Sequence, residues 1–330
     1  MKSGRLIRKR RARDYSKRLK TWPLWLIVGL LAAVFVFSSF KLGSIVGENI
    51  ASGQLSGQLR EINEQGKATA APAQKEQATN APLAAEPAET VRPVTGLKTV
   101  QPGKKGNDGL LPAVPYPLNK YANVSNRFRK LQQQNKDIIG WLTIEDVVDE
   151  GVVQRDNTYY LRRDYKGYHN QNGSIFMDEN VALKNRPYTI TLYGHNMKSG
   201  AMFGFMHHYE HVNFYHEHPF VQFDTAYEDG RYVIFAIGVV STKEYDADYL
   251  NLSKLNSFTA AWRQEAIRTL QLRSLYTTTV DVAADDQILL LMTCAQDDTE
   301  RWVIAARRIR DGETEKQLAE RIRRTQRKAN

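Results

Sequence analysis

The apolar run Ile288-Leu-Leu-Leu-Met-Thr-Cys294 ends in a cysteine. Seven residues later, Arg301 precedes a second apolar run, Trp302-Val-Ile-Ala-Ala306. Short continuous apolar runs of this kind predict buried strands. Cys294 is the only cysteine among 330 residues. A lone thiol cannot be half of an internal disulfide, so packing, intermolecular pairing or chemistry must explain it.

A second reactive residue also follows an apolar stretch. About a hundred residues upstream, His195 stands two residues after the run Tyr188–Tyr193. Further strand-like runs are rich in β-branched and aromatic residues and occur at Ile175–Met177, Tyr232–Ser241 and Trp302–Arg308, while helical spacing appears at 123–134 and 257–274. The sequence therefore predicts a mainly β domain with a few helices and with reactive residues at the ends of two strands.

The N-terminus combines a basic tail with an apolar segment. The first 20 residues hold ten Lys or Arg and one acid, which is +9 of the net charge of +10, so the rest of the chain is nearly neutral and no nucleic-acid partner is expected. Pro23–Phe40 has no charge and as a helix would span about 27 Å. We expect a cytoplasmic tail at 1–21 and a transmembrane signal anchor at 22–41, with the remainder outside the cell. A cleaved signal peptide would have an apolar core of only about 7–15 residues.

The composition changes twice more along the chain. Residues 66–117 contain eight of the eleven prolines and one aromatic residue, so they cannot bury enough apolar surface to offset the entropy of ordering. We expect an extracellular Ala/Pro-rich stalk, disordered or extended, at 42–117. A globular composition predicts a folded domain at 118–311, and a basic C-terminal helix or solvated tail is expected at 312–330.

Three features occur in a fixed order, Tyr193-Gly-His195-Asn-Met, Thr293-Cys294 and Arg301. In this the chain resembles the sortases, the cysteine transpeptidases of Gram-positive cell surfaces. Motifs resembling the class B branch also occur in order over about residues 120–310: Ile139-Gly-Trp141-Leu-Thr-Ile, Val152-Val-Gln154, Asp156-Asn157-Thr-Tyr-Tyr-Leu161, Gly173-Ser-Ile-Phe176-Met-Asp178 and Met202-Phe203. The resemblance implies a sortase-like closed β-barrel with peripheral helices and a groove that ends at the three residues.

Physical chemistry assigns the same three residues to roles. Cys294 is the candidate nucleophile, since a thiolate can attack a peptide carbonyl to give a thioester. His195 is the candidate general acid and base, and Arg301 offers a charged planar fork to the developing oxyanion. The resemblance further implies substrate contacts from five residues, namely Asn157, Leu161, Tyr249, Leu250 and Thr293. Met292 and Ala295 depart from residues often found in the family, which affects the expected peptide specificity.

The function implied is cleavage of a C-terminal sorting motif in secreted proteins and transfer to an amine. That amine belongs to a peptidoglycan precursor or to a pilin lysine, and no cofactor is required. One alternative is a sortase-fold hydrolase. Another is a non-enzymatic binding module for metal or haem, in which the His207–His218 stretch, with five of the seven histidines, would supply ligands. Its interleaved aromatic residues favour packing instead.

Overall fold

The strands of the folded domain form a closed barrel, and its longer strands are buried along most of their length. The computed structural model describes residues 22–70, 109–247, 249–294 and 300–328. The basic tail, the middle of the predicted stalk, and Ala295 lie outside these residues. The chain divides into two compact units, residues 1–47 and 48–330.

Eight strands form the barrel in the order β1-β2-β3-β4-β8-β9-β6-β5. Their bounds are β1 Ile138–Ile144, β2 Val148–Val153, β3 Phe176–Met177, β4 Thr189–Tyr193, β5 Phe220–Thr225, β6 Arg231–Ser241, β8 Ile288–Cys294 and β9 Glu300–Arg308. A small separate ladder joins β7, Tyr276–Thr277, to β10, Gln326–Arg327. The barrel confirms the predicted fold class.

Six α-helices complete the described chain. Their bounds are α1 Trp22–Ala70, α2 Asn126–Gln132, α3 Val212–Glu217, α4 Leu252–Leu255, α5 Ala260–Arg273 and α6 Glu315–Ile322. Short 3-10 turns occur at Tyr159–Arg162, Leu183–Asn185 and Gly204–Glu210. The predicted helix at 257–274 corresponds to α5, which buries Ala266, Ile267 and Leu270.

The first unit contains the start of α1. Its described large apolar side chains are exposed, including Trp25, Phe35 and Phe40. Within the described chain, α1 is long and apolar enough to cross a membrane over Trp25–Ala68 by length and composition. A helix exposed and apolar all round is typical of a segment that has lipid as its solvent.

Both flanks of the folded domain differ from the expected stalk and tail. Helix α1 continues to Ala70, so the first part of 42–117 is helical, and Leu59 of this part is only 2% exposed. At the other end of the same stretch, the buried Tyr116 donates to the Leu183 carbonyl. The C-terminal segment is a helix as predicted, but it is not solvated, because Leu318 and Ile322 of α6 are buried in the core.

Candidate active site

Strands β4 and β8 run parallel and end at the same edge of the barrel. Their last paired residues are Tyr193 and Met292. His195 and Cys294 each follow that pair by two residues. Because parallel strands in register advance together, equal counts bring both positions to one edge. The edge therefore carries the two reactive residues that the sequence singled out.

Strand β9 brings Arg301 to the same edge. The antiparallel register pairs Cys294 directly with Arg301, and such pairs have Cα atoms about 4.5–5.5 Å apart. Arg301 is half-buried, and its Nη1 donates to the Glu300 carbonyl over 3.4 Å. The Cys294 side chain lies outside the described part of the structure. Backbone register thus assembles the three predicted positions on adjacent strands.

The imidazole of His195 is held by a backbone carbonyl. Its Nε2 lies 2.7 Å from the carbonyl oxygen of Leu161. A carbonyl can only accept a hydrogen bond, so Nε2 carries a proton in both charge states of the ring, and in the neutral imidazole Nδ1 is the nitrogen with the lone pair. Leu161 is one of the residues predicted to contact substrate; its carbonyl faces His195, and its side chain is 37% exposed.

The turn after β4 is built on Gly194. A Cβ at this position would lie 2.9 Å from the ring of Phe203, so only glycine allows that fully buried ring to pack against the turn. The Phe203 N–H donates to the His195 carbonyl over 2.9 Å. These two contacts fix the backbone that presents the histidine.

Asp178 organises the base of the site, which the sequence did not reveal. The buried carboxylate accepts from the Tyr193 hydroxyl over 2.9 Å and from the Asn157 amide over 3.3 Å. Burial, and then Asp178 itself, raise the pKa of Tyr193, while Arg301 acts in the opposite direction. Tyr193 therefore stays neutral and donates. Its place in the Tyr-Gly-His motif, and that of Asp178 in Phe-Met-Asp, were the available signals.

The remaining predicted substrate residues occupy different environments. Asn157 also accepts from the Glu179 N–H over 2.9 Å, so it ties two loops together. Tyr249 is half-buried and bridges Ser241 at the end of β6. Leu250 is 3% exposed and belongs to the main core. Leu250 therefore offers little side-chain surface, whereas Tyr249 offers more.

Thr293 stands beside Cys294 and opposite Trp302. It is 4% exposed, and its hydroxyl has no hydrogen-bond partner among the described residues. A buried hydroxyl without a partner is costly, which makes Thr293 an unusual residue for a strand end.

The histidine-rich stretch packs as aromatic rings. His207 and His208 stack with centroids 4.3 Å apart, and Phe214 lies against His208 and His218. Burial lowers the pKa of His208, and His207 and His211 lower it further. Within the ranges that the structure describes, no group of three or more His, Cys, Asp or Glu is placed to hold a metal ion.

Comparison with known proteins identifies the family. A model of the Sortase domain matches residues 148–309. Sortase B of Listeria monocytogenes serovar 1/2a is 32% identical over 185 residues, which cover 56% of this chain and 72% of that protein. This chain belongs to the sortase family. The sortase is thus a cysteine transpeptidase, and the sortase B relatives place it in class B.

Solved structures agree with this assignment. A Bacillus anthracis protein similar to sortase B is 34% identical with a TM-score of 0.51, covering 57% of this sortase and 85% of that chain. Sortase B complexed with a glycine tripeptide is 29% identical with a TM-score of 0.50, covering 58% of this sortase and 89% of that chain. The barrel described above is therefore the sortase barrel.

Proposed function

We propose that this sortase uses Cys294, His195 and Arg301 to cleave a sorting motif near the C-terminus of secreted proteins and to transfer the acyl group to an amine. The observation that carries the proposal is the register of β4, β8 and β9, which brings all three positions to one edge. Residues about a hundred positions apart in the sequence share this edge.

The reaction has two steps, acylation of Cys294 and transfer of the acyl group to the acceptor amine. The Cys294 thiolate attacks the scissile carbonyl carbon, the C–N bond breaks, and the His195 imidazolium gives its proton to the departing amine. The acceptor amine then attacks the thioester, its proton passes to His195, and the C–S bond breaks to restore the thiolate. Arg301 stabilises the oxyanion in both tetrahedral intermediates.

The hydrogen bond from His195 Nε2 to the Leu161 carbonyl indicates which ring nitrogen takes part in proton transfer. Because Nε2 donates to that carbonyl, Nδ1 is the nitrogen that exchanges protons with the two amines. Tyr193, which directly precedes the same turn, donates to Asp178, and the raised pKa of Tyr193 keeps its hydroxyl protonated. The acid-base residue is thus held in one orientation before substrate binds.

The acceptor proposed is a glycine-type amine on a peptidoglycan precursor. Supporting this, one sortase B neighbour was solved as a complex with a glycine tripeptide. A lysine amine of a pilin subunit is the other acceptor class, and water would make the enzyme a hydrolase. The three acceptors give products of different mass from one acyl-enzyme.

The N-terminus is proposed to anchor the enzyme in the membrane. The apolar part of α1 has exposed side chains all round, and ten basic residues precede it. By the positive-inside rule, residues 1–21 would lie in the cytoplasm and the catalytic domain outside the cell. The substrates would then meet the enzyme at the outer membrane surface.

Intact-mass spectrometry of the full-length protein in detergent micelles tests the proposal. The protein is incubated with a panel of sorting-motif peptides, with and without triglycine, beside Cys294→Ala as the matched control. We expect a peptide-derived adduct on the parent protein alone, which triglycine converts into a ligated peptide. An adduct released only as free acid would favour the hydrolase. No adduct from folded protein would contradict the assignment of Cys294.

A further inference from the structure

The second half of α1 packs against the barrel of its own unit. We call residues 48–66 the docked segment. Leu59 lies over Gly151 of β2, where an added Cβ would come within 2.7 Å of the leucine side chain. Asn63 is fully buried and accepts from Arg127 Nε over 2.6 Å. The segment is therefore a structural part of the catalytic unit.

The start of the docked segment bonds to one loop of the barrel. Asn172 Nδ2 donates to Asn49 Oδ1 over 2.9 Å and to Ser52 Oγ over 3.2 Å. Asn170 Nδ2 donates to the same Ser52 oxygen over 2.7 Å. Both loop asparagines are nearly inaccessible to solvent, with Asn170 5% and Asn172 2% exposed. Buried amides of this kind depend on their partners for their orientation.

The same loop lies next to the carbonyl that accepts from His195. The Asn170 N–H donates to the Arg162 carbonyl over 3.0 Å, and the Gly173 N–H donates back to the Asn170 carbonyl over 3.1 Å. Gly173 has φ +62°, and a Cβ there would lie 2.5 Å from the Leu161 oxygen. There is therefore no space for a side chain between Gly173 and the Leu161 carbonyl. The Leu161 carbonyl accepts from His195.

We propose that Asn49 and Ser52 are positioning residues for His195, acting through loop 170–173 and the Leu161 carbonyl. The proposal rests on the acid-base role assigned to His195 above. Every link is a hydrogen bond or a close backbone contact, and the chain of links is short: helix, asparagine pair, glycine, carbonyl, imidazole. The docked segment thereby helps to hold the imidazole in the form protonated on Nε2.

The far end of the same segment provides a matched control. Asn63 is the same residue type as Asn49, it bonds to Arg127 of helix α2, and it is the more deeply buried of the two. Its partner Arg127 bonds onward to Asp224 rather than to loop 170–173. Replacing Asn63 removes a docking contact without touching the links to His195.

The test uses full-length protein labelled with ¹⁵N-histidine in detergent micelles. Ring nitrogen shifts distinguish the two neutral tautomers, a His195→Gln sample identifies the signal, and peptide-to-triglycine transfer gives kcat and KM. Amide hydrogen exchange reports docking of the segment in each variant. The variants are Asn49→Ala, Ser52→Ala, Ser52→Thr and Asn63→Ala.

We expect Asn49→Ala and Ser52→Ala to mix the His195 tautomers and to lower kcat on the order of tenfold with KM little changed. Ser52→Thr, which keeps the hydroxyl, should behave as the parent. Asn63→Ala should speed exchange at the far end while preserving the tautomer and kcat. An unchanged tautomer in both alanine variants, or an equal shift in Asn63→Ala, would overturn the proposal. If His195→Gln retained transfer activity, the role of His195 would fail while the tautomer data still tested the positioning by Asn49 and Ser52.

Discussion

The two ends of the parallel strands β4 and β8 satisfy their polar groups in different ways. At the start of both strands Arg263 is fully buried and donates to the Ala284, Tyr188 and Asp286 carbonyls, to the Thr189 hydroxyl and to the Leu255 carbonyl. At the other end, Arg301 is half-buried and is paired with Cys294. We infer that Arg263 stabilises the fold by linking buried backbone carbonyls and that Arg301 takes part in the reaction.

Replacing Arg301 by lysine should give the largest effect, which is a loss of activity without a loss of stability. Lysine keeps the charge but loses the planar fork that we assign to the oxyanion. We expect kcat/KM for transfer to triglycine to fall by about 10²–10³, with an unchanged thermal midpoint. Steady-state kinetics and thermal denaturation check this on the same sample. A large loss of stability would instead show that Arg301 has a structural role.

Replacing Arg263 by methionine should do the reverse. Methionine fills similar volume but leaves buried carbonyls without a donor, so the free energy of unfolding should fall by about 3–5 kcal/mol. Urea denaturation measures this as a lower midpoint with the same slope. The folded fraction should retain the parent kcat. Reduced kcat at full stability would mean that the two ends are not independent.

The sequence predicted the strands at both ends of this comparison. The apolar runs of β4, β6, β8 and β9 were recognised because they are continuous. Strand β5 was not, since Phe220-Val-Gln-Phe-Asp-Thr alternates over only six residues directly after the histidine-rich stretch. Short alternating segments give a weak signal on their own.

The sequence allows a short helix at residues 44–65, but it does not predict that the docked segment packs against the folded domain. Its apolar stripe is only Leu55, Leu59 and Ile62, and much of the remaining contact is polar, through Ser52 and Asn63. A buried hydrogen-bonded asparagine reads as an exposed residue in a hydrophobicity pattern. The burial of Leu318 and Ile322 in α6 likewise differs from the solvated segment that the basic composition of 312–330 predicts.

The candidate reactive residues can be predicted from the sequence, whereas the contacts that support them cannot. His195, Cys294 and Arg301 have side chains whose chemistry is visible in the sequence. The Leu161 carbonyl has no such signal, since every residue carries a carbonyl. Asp178 and Tyr193 are joined by a fold that sequence spacing does not reveal. Their support of the catalytic edge emerged only from the structure.

Glu150 of β2 is partly buried, and it interacts with Ser56 and Arg60 of the docked segment. Burial beneath the docked segment raises the pKa of Glu150 to about 7, although Ser56 and Arg60 favour the charged form. A raised carboxyl pKa means that the folded state gains stability from the proton. That gain is complete below about pH 4.5 and is lost as pH rises through about 7.

We therefore expect Glu150→Gln to stabilise the protein at pH 8 by at most about 3 kcal/mol and to have little effect at pH 5. Thermal midpoints of the parent and variant between pH 5 and 8 measure this difference. Amide exchange in residues 48–66 should slow in the variant at pH 8. Parallel pH profiles for the two proteins would contradict the assignment of Glu150.

Replacing Thr293, which precedes Cys294 at the end of β8, should give the smallest effect. Its buried hydroxyl has no partner in the part of the chain that the structure describes, so valine of nearly the same shape should leave stability unchanged or raise it by about 1 kcal/mol. If the hydroxyl binds substrate, as the resemblance to the sortases implies, Thr293→Val should raise KM for the sorting peptide and leave kcat nearly constant. Denaturation and kinetics together separate these effects. A clear loss of stability would show that the hydroxyl stabilises the fold. Thr293 would then have a structural role, like Arg263 at the other end of the strands.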